Sequence, residues 1–79
     1  MEAQRFGEKL LRLRRGRGWS LAVLAGRLGY KSRGYLSEVE SGLKRPSLDL
    51  AVRAARLFRV TTDELLLDER EVSANELEA

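Results

Sequence analysis

The sequence predicts an all-α domain built from five short helices, and three observations support this. Apolar residues recur at helical spacing; Phe6, Leu10 and Leu13, for example, stand at positions i, i+4 and i+7. Serine or threonine precedes four of the segments, and glycines separate several of them. No segment shows the apolar–polar alternation of a strand. The 79 residues suffice for one small domain.

The first two helices are separated by a glycine-containing turn. The first helix runs past Leu13 and ends among arginines, which favour the C-terminal end of a helix dipole. The Arg-Gly-Arg-Gly run that follows is interpreted as a turn, because no strand precedes it and no Gly-Lys-Ser follows, as a phosphate-binding loop requires. Ser20 is a suitable N-cap for a second helix over Leu21–Leu28, which Gly29 ends.

The third and fourth helices flank a basic loop. The third is predicted over Ser32–Ser41, with Gly42 just past its end. The loop over 43–46 carries a lysine, an arginine and the single proline of the chain. Ser47 then caps a fourth helix that runs through Phe58. Its predicted inward face consists of Leu48, Ala51, Ala54, Ala55 and Phe58.

A capping box opens the fifth helix, since Glu64 stands three residues after Thr61. This helix is predicted to continue through Leu67 and to complete a domain of residues 1–67. Residues 68–79 form an acidic C-terminal tail with few large apolar side chains. We expect this tail to be frayed or loosely helical and to support a dimer.

The charge of the chain is divided between its two parts. Residues 1–59 contain 14 Lys and Arg against 5 Asp and Glu, whereas residues 60–79 contain 1 against 7. A basic body indicates a polyanionic partner, and an arginine-rich solvated surface explains the same counts equally well. Charge alone therefore leaves both interpretations open.

The residue types argue against an enzyme. The chain contains no histidine and no cysteine, so the commonest general base, a thiol nucleophile and the usual zinc ligands are missing. No catalytic residue, metal site or cofactor is expected. No stretch reaches about 20 apolar residues, so no membrane partner is expected either. The lack of cysteine fits a reducing cytoplasm.

Helices two and three have the arrangement of a helix-turn-helix, in which a tight turn joins two short helices. In a DNA-binding version the second helix enters the major groove, whose width of about 12 Å admits one helix. The first helix braces it across the phosphates. Inward apolar side chains on both helices are predicted to fix their crossing: Leu24, Ala25, Leu28, Leu36 and Val39. Arg33, Ser37 and Glu38 share the outward face.

A series of short motifs runs from Phe6 to Leu66. In order, the motifs are Leu10-x-x-Leu13-Arg14, G-W-S-x-x-x-L-A (Gly18 to Ala25), Gly29, Tyr35-Leu36-Ser37-x-Val39-Glu40-x-Gly42, Lys44-Arg45-Pro46-Ser47, Ala55 and V-T-T-D-E-L-L (Val60 to Leu66). Together they resemble the Cro and phage-repressor (XRE) family. The resemblance implies a compact lambda-repressor-like fold and a small dimeric transcriptional regulator, of repressor, controller or antitoxin type, that binds double-stranded DNA at the cytoplasmic nucleoid.

The outward face and the resemblance together assign DNA contacts. Arg33 is the predicted base reader, because its planar fork matches O6 and N7 of guanine; a phosphate clamp is its alternative role. Ser37 is a second base reader, and Glu38 either accepts a hydrogen bond from cytosine or repels wrong sequences. Phosphate contacts are predicted for Ser20, Lys31, Ser32, Tyr35, Lys44 and Arg45. For the last two, a merely solvated loop is the alternative.

Glu40 and Trp19 are assigned structural roles. By the resemblance, Glu40 pairs with Arg14 and ties the third helix to the first; an acidic base reader or catalytic acid is the alternative. Removing one partner of a partly buried pair is costly. Trp19 is expected to fill the corner between the first two helices rather than to serve as a stacking platform.

The sequence departs from the family pattern at two places. Leu21 opens the second helix where family members usually carry glutamine. The turn before Ser37 is one residue longer than usual, and the extra residue falls within Tyr30–Gly34. This leaves open whether Arg33 enters the groove first or whether Lys31 or Ser37 takes its place.

A homodimer on a pseudo-palindromic site is expected, because one recognition helix reads few base pairs and half-sites about 34–36 Å apart double the readout. The interface is predicted among apolar residues near the C-terminus: Leu66, Leu67, Val72 and Leu77. A toxin or another protein partner is compatible with the family. The alternative function is a protein-interaction adaptor that reuses the fold without reading bases, for which an apolar groove is expected in place of the basic loop.

Overall fold

Five helices make up the part of the chain that the computed structural model describes, residues 3–72. They are α1 (Phe6–Gly16), α2 (Leu21–Leu28), α3 (Gly34–Glu40), α4 (Leu48–Phe58) and α5 (Thr62–Leu66). Within this range there is no strand. The predicted all-α fold of five helices is confirmed. None of the described helices is both long and apolar enough to cross a bilayer.

The core lies where the inward faces of the five helices meet. The largest fully buried apolar side chains are Phe6, Phe58, Leu10, Leu13, Leu24, Leu36, Leu50, Leu65 and Val39. Leu48, which was predicted to face inward, is instead 77% exposed. At 3.6 residues per turn, Leu48 is rotated about 90° from the centre of the buried face of α4, and Leu50 occupies that face in its place.

Three helices begin at the predicted caps. The hydroxyls of Ser20 at α2 and Ser47 at α4 each accept a hydrogen bond from the N–H three residues later, at 3.1 and 3.0 Å. At α5 the capping box is complete, since the N–H of Glu64 donates to the Thr61 hydroxyl and the Thr61 N–H donates to the Glu64 carboxylate. These bonds satisfy donors that the first turn of a helix leaves without partners.

The turn between α2 and α3 is longer than predicted. Gly29 adopts a left-handed conformation, with φ of 86°, and ends α2. The predicted start at Ser32 is wrong, because α3 begins at Gly34; the helix ends at Glu40, one residue before the predicted Ser41. The Ser32 hydroxyl accepts a hydrogen bond from the N–H of Gly34 at 3.1 Å. Since Ser32 bonds to a residue only two positions ahead, it closes the turn instead of capping the helix.

Residues 68–72 pack against the start of α1. The Asp68 carboxylate accepts hydrogen bonds from the N–H groups of Gln4 and Arg5, at 3.2 and 2.9 Å. Glu71 forms an ion pair with the Arg5 guanidinium at 2.8 Å. The expectation of a frayed or loosely helical segment is therefore wrong for residues 68–72, because donors at the start of α1 bind its carboxylates.

The four residues predicted at a dimer interface lie in different environments. Val72 is buried and belongs to the core, so this side chain is not available to a partner. Leu66 and Leu67 are half-buried. Leu77 lies outside the described residues. Val72 was misassigned because its place in the core depends on the return of the chain from α5 to α1.

Lys9 is a buried cation that joins α1 to the end of α5. Its ammonium donates to the carbonyl oxygens of Glu64 and Leu67, at 2.7 and 2.9 Å. These carbonyls belong to the C-terminal end of α5, where a helix leaves acceptors without partners. Burial lowers the pKa of Lys9 below its ordinary value. The fifth helix is thus capped by a side chain from the first.

Candidate nucleic-acid interface

The turn before α3 presents basic and polar side chains to solvent. Lys31, Ser32 and Arg33 are all exposed, and Ser37 is exposed one turn into the helix. Arg33 stands at the N-cap position of α3, just before the first helical residue. Lys31 and Arg33 form no ion pair with any residue in the described range 3–72. Both charges therefore remain available to an external anion.

Tyr35 fixes the basic loop that follows α3. Its hydroxyl accepts a hydrogen bond from the N–H of Ser47 at 2.9 Å and donates to the carbonyl oxygen of Arg45 at 3.4 Å. The Tyr35 side chain on α3 therefore binds the backbone on both sides of Pro46. The orientation of this loop follows that of α3.

Glu38 and Lys44, which were assigned separate DNA contacts, contact each other. Glu38 Oε1 lies 3.3 Å from Lys44 Nζ, and the two side chains are 45% and 57% exposed. An exposed pair of this kind contributes only about 0–1 kcal/mol. A phosphate can therefore replace the carboxylate as the partner of Lys44 at small cost.

The N-terminal end of α2 lies next to Trp19. Ser20 is exposed, and its hydroxyl is occupied by the N–H of Val23. The remaining N–H groups of the first turn carry the positive end of the helix dipole, which favours an anion such as phosphate. Leu21, which replaces the usual family glutamine, packs against the core from a half-buried position. Its side chain offers no polar atom to a phosphate or a base.

Arg14 and Glu40 form a bidentate ion pair between α1 and α3. The two bonds measure 2.9 and 3.0 Å, and the side chains are only 12% and 7% exposed. Arg14 also donates to the carbonyl oxygen of Trp19 at 2.8 Å. Next to the pair, a Cβ at Gly7 would collide with the carbonyl oxygen of Val39. These contacts set the position of α3 relative to α1.

Sequence reasoning missed two residues that brace the helix-turn-helix. Arg53 of α4 donates to the carbonyl oxygen of Leu28 at 2.7 Å, and its guanidinium lies 5.5 Å from the ring centre of Tyr30. The Tyr30 ring lies 5.8 Å from that of Tyr35. Burial raises the pKa of the Tyr30 hydroxyl. An arginine on α4 carries no local signal for this role, because its partners lie more than twenty residues away.

Trp19 is half-buried, and its contacts extend beyond the predicted corner between the first two helices. Its ring lies 5.7 Å from the ring of Phe58 at the end of α4. The guanidinium of Arg27 lies 4.5 Å from the Trp19 ring centre, and that of Arg17 lies 5.4 Å from it. Trp19 therefore joins α4 to α2 and lies within cation–π distance of two arginines.

Known proteins are similar to this chain in sequence and in fold. Residues 10–65 match the helix-turn-helix family model. The sequence is 41% identical, over 64 residues, to the HTH-type transcriptional regulator AnsR of Bacillus subtilis (strain 168); the match covers 81% of this chain and 54% of AnsR. The chain thus spans about half the length of that relative. The N-terminal DNA binding domain of SinR from Bacillus subtilis is similar in structure, with a TM-score of 0.71, 27% identity, and coverage of 78% of this chain and 90% of that domain.

Proposed function

Since this chain belongs to the XRE-type helix-turn-helix family, we propose that it is a sequence-specific, dimeric transcriptional regulator whose α3 enters the major groove of DNA. The observation that carries the proposal is the pair of uncompensated cations, Lys31 and Arg33, at the start of a helix held in place by the Arg14–Glu40 pair. A rigid support behind exposed donors is what base reading requires.

The exposed side of α3 fits direct readout of bases. A helix with its side chains is about 10–12 Å across, and the major groove is about 12 Å wide. Arg33 reads a guanine from the start of the helix, and Ser37 follows one turn later on the same face. Glu38 reaches a base once Lys44 has moved to a phosphate.

Phosphates are contacted on both sides of α3 in this proposal. Ser20 and the first turn of α2 meet one strand, and the loop that carries Lys44 and Arg45 meets another part of the backbone. Tyr35 positions that loop, while Lys31 and Ser32 contact the backbone from the turn. These contacts set orientation and affinity, and α3 supplies specificity.

The dimer and the cellular setting belong to the same proposal. Two copies bind a pseudo-palindrome, and the half-buried Leu66 and Leu67 remain candidates for the interface. The acidic segment after α5 stays away from DNA, since its carboxylates repel phosphates. The protein acts at the nucleoid in the cytoplasm, where a toxin or another protein is a further partner.

The test is selection of duplexes from a random library by the purified protein. We expect an enriched sequence with two related half-sites, about 10–10.5 base pairs apart or a multiple of that spacing. Sedimentation with and without the selected duplex then measures the number of chains per site. Absence of any enriched sequence would contradict the proposal and favour an adaptor that does not read bases.

A further inference from the structure

A second basic surface lies on the C-terminal half of α2 and on α4. There a groove of about 560 Å³ is lined by three arginines, one aspartate and three aliphatic residues: Arg27, Arg53, Arg56, Asp49, Leu28, Val52 and Leu57. We call it the α2–α4 groove. None of the residues that were assigned to DNA lines it. Arg27 lies seven residues after Ser20, or about 10 Å further along α2 from the end that faces phosphate in the proposed function.

The three arginines differ in what they already bind. Arg53 is committed to the fold, because it pairs with Asp49 at 2.8 Å and donates to the carbonyl oxygen of Leu28. Arg56 is exposed and has no hydrogen bond or ion pair within residues 3–72. Arg27 is exposed, its guanidinium carbon lies 4.5 Å from the Trp19 ring centre, and its N–H groups have no hydrogen-bond partner in the same range.

The groove also has an apolar lining between its cations. Leu28 is buried, and Val52 and Leu57 are half-buried. A phosphate backbone offers nothing to this lining, because its surface is polar and hydrated. An aliphatic side chain fits it, since burial of apolar area is favourable at about 25 cal/mol per Å². The groove therefore combines two guanidinium groups, whose N–H groups have no partner in the described range, with an apolar surface on which an aliphatic side chain can pack.

The basic surface continues beyond the groove along the aromatic side chains. The Arg17 guanidinium lies 5.4 Å from the Trp19 ring centre and 5.3 Å from that of Phe58. Its Nε atom is buried without a hydrogen-bond partner in the described part of the chain. Cations interleaved with aromatic and aliphatic side chains match the composition of protein interfaces, where arginine and aromatic residues are enriched.

We propose that the α2–α4 groove is a docking surface for an acidic polypeptide segment in which an aliphatic side chain stands between carboxylates. The carboxylates bind Arg27 and Arg56, whose planar guanidinium groups match them with paired hydrogen bonds. The aliphatic side chain packs on Val52 and Leu57. This inference does not rest on the proposed function, because it concerns a different surface and its test needs no DNA.

The test uses the full chain and a synthetic peptide, acetyl-Glu-Glu-Leu-Glu-Glu-amide, titrated while backbone amide NMR shifts are recorded. We expect shifts at Arg27, Val52 and Arg56 that saturate together. The double variant R27Q/R56Q should bind the peptide about tenfold or more weakly, which corresponds to about 1.4 kcal/mol. A peptide with serine in place of leucine, and one with glutamine in place of each glutamate, should each bind more weakly than the first.

The double variant R15Q/R70Q is the matched control, because both arginines are exposed outside the groove and their replacement also removes two positive charges. This control should bind the peptide with an affinity within about twofold of that of the parent protein. Equal loss in R15Q/R70Q and R27Q/R56Q would reduce the effect to net charge and overturn the proposal, as would shifts that map to α3. Duplex binding by R27Q/R56Q distinguishes a peptide-binding surface from a surface that contacts phosphates. An unchanged salt dependence supports a peptide surface, whereas a slope lower by about 2 would assign the groove to phosphate contact.

Discussion

The Asp68 carboxylate accepts a hydrogen bond from the backbone N–H of Arg5 at 2.9 Å, although 63 residues separate the two in the chain. Lys9 binds the end of α5 in return, with its ammonium 2.7 Å from the carbonyl oxygen of Glu64. Thus α1 receives a cap from the segment that follows α5, and α5 receives a cap from α1. A carboxylate at the start of one helix and a cation at the end of another also match the two helix dipoles.

Acid should weaken the contact between the acidic segment and α1. Hydrogen bonds from the N–H of Arg5 lower the pKa of Asp68, and the Arg5 side chain lowers the pKa of Glu71. A carboxyl group whose pKa is lower in the folded state stabilises the fold above its unfolded pKa, about 4, and this contribution disappears as the pH falls. The melting temperature should therefore drop between about pH 5 and pH 2.

The double variant D68N/E71Q tests that assignment. It should melt below the parent protein at pH 7 and show a shallower dependence of melting temperature on acid pH. Calorimetry at several pH values provides the measurement, with Asp63→Asn, a change to an exposed aspartate of α5, as the control. An unchanged acid dependence in D68N/E71Q would show that other carboxylates govern acid unfolding.

Removing the ammonium of Lys9 should destabilise the fold. Lys9→Met retains a long side chain but removes the donor to the carbonyl group of Glu64, whereas that of Leu67 keeps the N–H of Arg70 at 3.0 Å. An unsatisfied buried acceptor costs about 1–3 kcal/mol. Urea unfolding should show a loss in this range, and Lys9→Ala should lose more because it also leaves a cavity. A Lys9→Met variant more stable than the parent would mean that burial of the charge outweighs its hydrogen bonds.

Breaking the Arg14–Glu40 pair should destabilise the fold rather than remove a direct contact with DNA. Both side chains are largely buried, so Glu40→Ala leaves a guanidinium without its partner, at a cost of about 3–5 kcal/mol. Glu38→Ala is the matched control, because its pair with Lys44 is exposed and contributes about 0–1 kcal/mol. Thermal unfolding of both variants provides the comparison. If Glu40→Ala kept full stability and lost DNA binding, Glu40 would belong to the DNA surface.

Arg33→Ala and Lys44→Ala should differ in how they weaken DNA binding. If Arg33 reads guanine, its loss costs about 1–3 kcal/mol on the selected site and relaxes the preference at one position of each half-site. Loss of Lys44 should weaken all duplexes alike and lower the salt slope by about 1. Titrations against the selected and a random duplex at several salt concentrations separate the two. If both variants kept their specificity, Arg33 would be a phosphate clamp.

Local signals predicted the helices and their caps, since Ser20, Ser47 and the Thr61–Glu64 box act on the next few N–H groups. The start of α3 was wrong because Ser32 has two local options, capping a helix or closing a turn, and it closes the turn. Lys9, Asp68 and Val72 owe their positions to contacts between the two ends of the domain. No local pattern encodes such contacts.

In the candidate site, too, local motifs predicted the positions of residues but not their contacts with distant parts of the chain. The motif that contains Tyr35 and Glu40 placed both residues on α3, and the structure adds the contacts that they make with the loop and with α1. The Glu38–Lys44 pair was not predicted, because it depends on how the loop returns beside the helix. Leu48 was misassigned because it lies about 90° from the centre of the buried face of α4, at the edge of the apolar pattern.

The two hydrogen bonds of the Tyr35 hydroxyl have a thermodynamic consequence for association. They join the loop to α3, so the loop has already lost its conformational entropy in the free protein and need not lose it on contact with DNA. A Tyr35→Phe protein should fold with nearly parental stability, yet calorimetric titration should show a less favourable entropy of association. The hydroxyl oxygen of Tyr35 alone would then account for the preorganisation of the loop that contacts the DNA backbone.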